Sequence, residues 1–316
     1  MKIPGATIVQ LDKMPGENEI QKWGLTDYVG AVTDGTYGAV GLDFKSPHTG
    51  LAAKKVWFFF DKTYVCLGTD ISSRMKNQVL TTVNQCLLNG QVTVSDADGI
   101  HPQERGSRMK KGVRWVVHDR VGYYFLNKEN VILSNQRTEG SWKIANRQTT
   151  TPTDIIQQDV FTLSVDHGSY PNNEGYAYMV VPSADPLSIE KQVEEEGVVV
   201  LANCPDVQAV RHDGLNMAYA VFYKGGTLRI HDKIVVEMDA PGMLMVKYND
   251  AGEILTLGVS DPTRFMKKLH LSVNQRIVGT AQENIQTEWD GKQALTRISV
   301  DLPQNEYAGK SVIYNK

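Results

Sequence analysis

Apolar residues recur at every second position through most of this 316-residue chain, in short segments rich in valine, isoleucine and aromatic side chains. A period of two sends successive side chains to opposite faces of an extended backbone, so each segment reads as a strand with one face turned to a core. The clearest lie at residues 38–44, 53–60, 64–68, 79–86, 113–118, 122–126, 160–165, 176–181, 198–202 and 217–223. Between them stand Thr33-Asp34-Gly35, Asn89-Gly90, Asp98-Gly99, Asp213-Gly214 and Gly225-Gly226, residue types that tolerate positive φ and close turns. Only residues 186–196 read as a helix, with Asp185 as N-cap, Pro186 in the first turn, and Leu187, Ile189 and Val193 on one apolar side. The pattern predicts an all-β fold, a large antiparallel β-sandwich followed by a smaller C-terminal one, and excludes alternating βαβ units.

The length is enough for more than one domain. After Tyr223, Lys224-Gly225-Gly226 ends one strand series, and a fresh one follows at 227–230, 234–237, 243–248, 254–259, 268–273 and 296–300. A boundary near residue 232 is expected, giving domains at 1–232 and 233–316. A net charge of −3 provides no general attraction for nucleic acid. The longest apolar runs, at 56–60 and 198–202, fall far short of the roughly 20 residues of a membrane helix. The opening Met-Lys-Ile-Pro-Gly-Ala-Thr has no apolar stretch of the secretory type, so an export signal, if there is one, is expected upstream. Cys66, Cys86 and Cys204 are an odd set without C-x-x-C spacing, which reads as buried thiols and not as a disulfide framework.

Few residues advertise chemistry. Neither G-x-S-x-G nor H-E-x-x-H occurs, and no phosphate loop is present. Two acid–base pairs stand out, His118-Asp119 and Asp166-His167, both at strand ends. Neighbours on a strand point to opposite faces and cannot act as a dyad, so turn-closing roles are the simpler reading. The run Trp57-Phe58-Phe59-Phe60 reads as core packing, while Trp23, Trp115, Tyr123, Tyr124 and Trp142 are candidates for stacking on sugar rings. Lys54, Lys55, Arg105, Arg108, Lys110 and Lys111 offer positive charge for an acidic polymer, and solvated loops explain them equally well. The run Glu194-Glu195-Glu196 reads as a solvated face.

Several strings, taken in order, resemble polysaccharide lyase family eight, the family of chondroitin AC, chondroitin ABC, hyaluronate and xanthan lyases. They are Lys2-Ile3-Pro4-Gly5-Ala6-Thr7, Val32-Thr33-Asp34-Gly35-Thr36-Tyr37-Gly38, Ala53-Lys54-Lys55-Val56-Trp57-Phe58-Phe59-Phe60, Leu67-Gly68-Thr69-Asp70-Ile71-Ser72-Ser73 and Thr81-Thr82-Val83-Asn84-Gln85. Asp166-His167-Gly168, Tyr176-Ala177-Tyr178-Met179-Val180-Val181-Pro182 and Ser260-Asp261-Pro262-Thr263-Arg264 continue the set, so the likeness runs nearly end to end. The resemblance implies a central supersandwich and a small C-terminal β domain, with the family's catalytic N-terminal α/α toroid absent from this chain. No catalytic residue is therefore assigned here. The implied partners are that toroid and an acidic polysaccharide, chondroitin sulfate or hyaluronan. The implied location is periplasmic or extracellular. A different class of reading is a free-standing carbohydrate-binding module for acidic polysaccharides.

The same resemblance suggests a structural calcium ion held near Glu17, Glu19, Asp27 and Tyr28, the last through its carbonyl. Calcium takes about six to eight oxygen ligands, so these would begin a shell and not complete one. If the loop holds calcium, the ion raises the melting temperature, and Glu17→Gln together with Asp27→Asn abolishes the rise. A melting temperature of the unmutated chain that calcium leaves unmoved removes the site.

Overall fold

The computed structural model describes residues 2–13, 15–16, 19, 21, 23–146, 148–277 and 283–316. Its strands, in chain order, are β1 (Thr7–Val9), β2 (Val29–Thr33), β3 (Gly38–Lys45), β4 (Ala52–Phe59), β5 (Tyr64–Ser72), β6 (Gln78–Leu87), β7 (Val92–Asp96) and β8 (Gly99–Pro102). Then come β9 (Ser107–His118), β10 (Val121–Gly140), β11 (Ile156–Ser169), β12 (Glu174–Pro182), β13 (Val198–Cys204), β14 (Val207–His212), β15 (Met217–Phe222) and β16 (Gly226–His231). The last are β17 (Ile234–Met238), β18 (Gly242–Tyr248), β19 (Ile254–Ser260), β20 (Lys268–Val273), β21 (Ile285–Asp290), β22 (Leu295–Asp301) and β23 (Val312–Asn315). Two short α-helices, α1 (Trp142–Ala145) and α2 (Ile189–Glu196), interrupt them. The all-β expectation is met, and every strand pairing recorded is antiparallel.

The chain divides into two compact units, one of residues 1–14, 74–171 and 178–189, the other of residues 15–73, 172–177 and 190–316. In the first unit the strands run β1-β6-β11-β10-β12, and β9 pairs with both β10 and β7. Strand β10 extends well past the apolar segment at 122–126, because residues beyond it find partners on both sides: Val131, Leu133 and Asn135 face Val165, Leu163 and Phe161 of β11. All six are buried, so this cross-strand ladder is core. The buried Asn135 serves the neighbouring turn, donating to the Gln103 carbonyl at 3.2 Å and accepting from the Gly106 amide at 3.0 Å. Helix formation begins where expected, with the Asp185 carboxylate accepting from the Leu187 amide at 2.8 Å, although the α-helical span itself opens only at Ile189.

The second unit contains three groups of strands: β5-β4-β3-β2, the six-stranded β13-β14-β15-β18-β19-β23, and the five-stranded β16-β17-β20-β22-β21. Residue 232, the expected boundary, lies in the turn between β16 and β17. The six- and five-stranded sheets share one apolar core, in which Ala218, Ala220 and Phe222 meet Val236, Leu269, Leu271 and Ile298. On the opposite face of β15, Tyr219 lies 5.9 Å from the Phe58 ring of β4, centroid to centroid. Strand β15 is consequently buried along its whole length. In the run Trp57 to Phe60, Phe58 and Phe60 turn inward while Phe59 is exposed, the alternation of a strand with one covered face.

Close approach decides one glycine. A Cβ built on Gly68 would stand 2.1 Å from the ring of the buried Tyr176, so any side chain there displaces an aromatic ring that has no free space. Gly68→Ala is expected to destabilise the chain by about 1–3 kcal/mol, the usual cost of overpacking, whereas Gly226→Ala, which meets nothing, stays within about 0.5 kcal/mol. Denaturant melts of the two variants against the parent check this, and equal midpoints refute it.

Candidate functional site

Acid–base chemistry is offered by the two histidine pairs, His118-Asp119 and Asp166-His167. His118 closes β9 opposite Val92 of β7 and Val121 of β10, which buries its ring; it is 1% exposed. Its Nε2 accepts from the Asn89 amide at 3.1 Å, so the proton sits on Nδ1, 3.7 Å from the Cys86 sulfur. The ring stacks on Phe161 at 4.3 Å between centroids. Burial pushes the imidazole pKa down, outweighing the nearby Asp119, and raises that of the Cys86 thiol. Asp119 sits at φ 47° and accepts from the Asn89 side chain at 2.8 Å. Both members of the pair are thus engaged with one asparagine in the turn after β6, His118 buried and Asp119 exposed, and the ring nitrogens of His118 face Asn89 and Cys86 and not Asp119.

His167 is also buried. Its Nε2 lies 2.8 Å from the Thr81 hydroxyl, which lies 2.8 Å from that of Thr7, so one polar chain ties β11, β6 and β1 together. Asp166 instead accepts from the Gly168 amide at 2.9 Å, where φ is +71°. This is the turn-closing role read from the sequence.

The basic residues are similarly engaged. Lys110 donates to Asp96 at 2.9 Å, and His101 lies 3.1 Å from both oxygens of the same carboxylate. Burial would raise the Asp96 pKa, but the hydrogen bonds from Lys110 and His101 outweigh it and hold the carboxyl below its ordinary value. Arg105 pairs with Asp159 and Arg108 with Glu104, each at 2.6 Å, while Lys111 is exposed. In the second unit, Lys54 donates to the Pro205 carbonyl at 2.7 Å and lies 3.5 Å from Asp70. Lys55 is 4% exposed, its ammonium 5.2 Å over the Trp57 ring, and burial brings its pKa down to about 8. Most of these charges carry their own counter-charge, which leaves little net field for a polyanion.

Of the stacking candidates, Trp115 and Tyr123 are buried, Tyr124 accepts from Arg114 at 3.2 Å, and Trp23 and Trp142 stand exposed, at 82% and 62%. For the calcium loop, Glu17 lies outside the described residues. The Glu19 carboxylate accepts from the Gly16 amide, and Asp27 is exposed. Tyr28 is buried, with its carbonyl accepting from Asp43 at 2.9 Å, its hydroxyl donating to the Phe222 carbonyl at 2.9 Å, and its phenol pKa driven up by burial. Among the described residues no group of three or more acidic, histidine or cysteine side chains is placed to hold a metal, and no helix is long and apolar enough to cross a membrane.

Sequence reasoning passed over one site. A groove of about 620 Å³ lies on the outer face of the five-stranded sheet, lined by Glu237, Asp239, His270, Glu288 and Arg297 among others. These residues are up to 60 positions apart and form no motif. The signal available was the alternation itself, which assigns the polar partner of each core residue to the opposite face.

The profile of the polysaccharide lyase family 8 super-sandwich domain matches residues 1–193, and that of the family's C-terminal beta-sandwich domain matches residues 199–270. Chondroitinase-AC of Pedobacter heparinus is 35% identical over 98% of this chain and 41% of its own length. A hyaluronate lyase of Thermasporomyces composti is 28% identical over 98% of this chain and 39% of its own. A solved chondroitinase AC lyase, studied in oligosaccharide complexes, aligns with a TM-score of 0.83 at 34% identity, covering 99% of this chain and 43% of that one. A Paenibacillus xanthan lyase gives the same TM-score at 23% identity and speaks for the fold alone. The chain therefore spans about two fifths of the length of these two relatives, chondroitinase-AC and the hyaluronate lyase. With both profiles in order and the match to chondroitinase-AC nearly end to end, this chain belongs to polysaccharide lyase family 8.

Proposed function

We propose that this chain is the non-catalytic β region of a glycosaminoglycan lyase, bracing a helical toroid and lining one wall of the substrate cleft. The whole enzyme cleaves uronic-acid polymers, chondroitin or hyaluronan, by β-elimination: a base takes the C5 proton and an acid protonates the departing glycosidic oxygen. One observation carries the reading. The chain aligns with chondroitinase-AC over 98% of its own length but only 41% of that protein, while His118 and His167, its own acid–base candidates, are buried in structural hydrogen bonds. A structural calcium ion near Glu17 and Asp27 and a periplasmic or extracellular location belong to the same proposal.

The alternative, a free module for acidic polysaccharides, draws its charge from basic residues that are mostly paired with carboxylates. Mixed with chondroitin sulfate or hyaluronan, the purified chain is expected to release no unsaturated uronate, as followed by ultraviolet absorbance, and to bind chondroitin sulfate weakly if at all. Turnover would overturn the proposal and direct attention to His118 and His167. Tight, salt-sensitive binding without turnover would favour the free module.

A further inference from the structure

The outer face of the five-stranded sheet is a two-row array of hydrogen-bonding side chains. Inward positions Val236, Leu271, Ile298 and Val300 are buried, so their neighbours Glu237, His270, Ser272, Arg297 and Ser299 face outward. Register aligns them. Glu237 stands opposite Ser272, Ser272 opposite Arg297, and Arg297 opposite Glu288, giving one row across β17, β20, β22 and β21. In the second row His270 stands opposite Ser299, and Ser299 opposite Gln286. With strands ~4.8 Å apart and rows two residues apart, the array measures roughly 14 by 7 Å, the footprint of two or three sugar rings.

The acceptors and donors are held in place before any ligand arrives. The Asp239 carboxylate accepts from the His270 amide at 3.2 Å, and Ser272 reaches Glu237 at 3.5 Å. Arg297 makes its recorded bonds, to Gln293 at 2.5 Å and Asp290 at 3.4 Å, through Nη2 alone, which leaves Nε and Nη1 as donors. The groove of about 620 Å³ has the size of a small-ligand site. Carboxylate acceptors, guanidinium donors and hydroxyls that do both are what vicinal sugar hydroxyls require, since each hydroxyl donates and accepts. Three carboxylates face one guanidinium and one imidazole, so the groove is negative in either state of the imidazole. That sign disfavours uronates and sulfates.

We propose that this face binds a short, uncharged saccharide, at a site separate in charge and chemistry from any polyanion cleft; the inference does not rest on the lyase reading. Cellotriose, maltotriose and triacetylchitotriose, titrated into the 316-residue chain by calorimetry, are the probes, with a chondroitin sulfate tetrasaccharide as competitor. At least one neutral trisaccharide is expected to bind. Glu237→Gln and Arg297→Ala should each weaken it by about tenfold, the scale of one lost charge-assisted hydrogen bond, and the tetrasaccharide should not displace it. Melting temperatures report whether the variants fold, and the near-isosteric Glu237→Gln carries the test if Arg297→Ala does not. Failure of all three sugars to bind overturns the proposal, as does binding that folded variants leave unchanged or that the anionic competitor abolishes.

Discussion

The second unit depends on a sheet with no free face. Strand β15 and its neighbour β18 carry nearly continuous apolar sequence, Met217–Phe222 and Gly242–Tyr248, because alternate residues must satisfy two different cores. Ala218, Ala220 and Phe222 enter the core shared with the five-stranded sheet, while Tyr219 and Val221 turn to the face that meets Phe58 and Gly41. Such a strand cannot slip by one residue without exchanging its two side-chain sets between cores of different shape. Gly41 lets β3 come close there: a Cβ at that position would lie 3.1 Å from Val221.

In the first unit, polar groups that resemble chemistry are consumed by connection. His118, Asp119 and Asn89 fix one turn; His167, Thr81 and Thr7 join three strands; Lys110, His101 and Asp96 stabilise the hairpin of β7 and β8 against β9. A buried polar group without a partner costs about 1–3 kcal/mol, so residues of this kind are expected to be engaged wherever a large β structure buries them. Burial has a chemical consequence at His118, whose imidazole stacks on Phe161 and has its pKa pushed down.

Charge is distributed differently over the two units. The basic side chains of the first unit are largely matched by carboxylates that arrive from other strands, Asp159 to Arg105 and Asp96 to Lys110. On the five-stranded sheet the excess is acidic, and the side chains are spread over four strands in two level rows.

Alternation of apolar residues by itself determined the all-β class, because period two fixes which side chains can share a face before any partner strand is known. It located most strands, and the turn residues located their ends. It passed over β1, β2, β7, β8, β14, β21 and β23, and stopped β10 at 126: Val207–His212 and Ile285–Asp290 mix polar residues into their apolar positions, and the continuation of β10 carries charge on its exposed side. The ordered strings also carried the family, since they need only their own spacing. Tertiary structure alone decided the fate of the side chains. That His118 meets Asn89, that Arg105 meets Asp159, and that Glu237, Ser272, Arg297 and Glu288 form one row all depend on strand register across long sequence separations. Pairing energy is set by side chains meeting across strands, and a linear pattern records which face each residue takes but not which residue lies opposite.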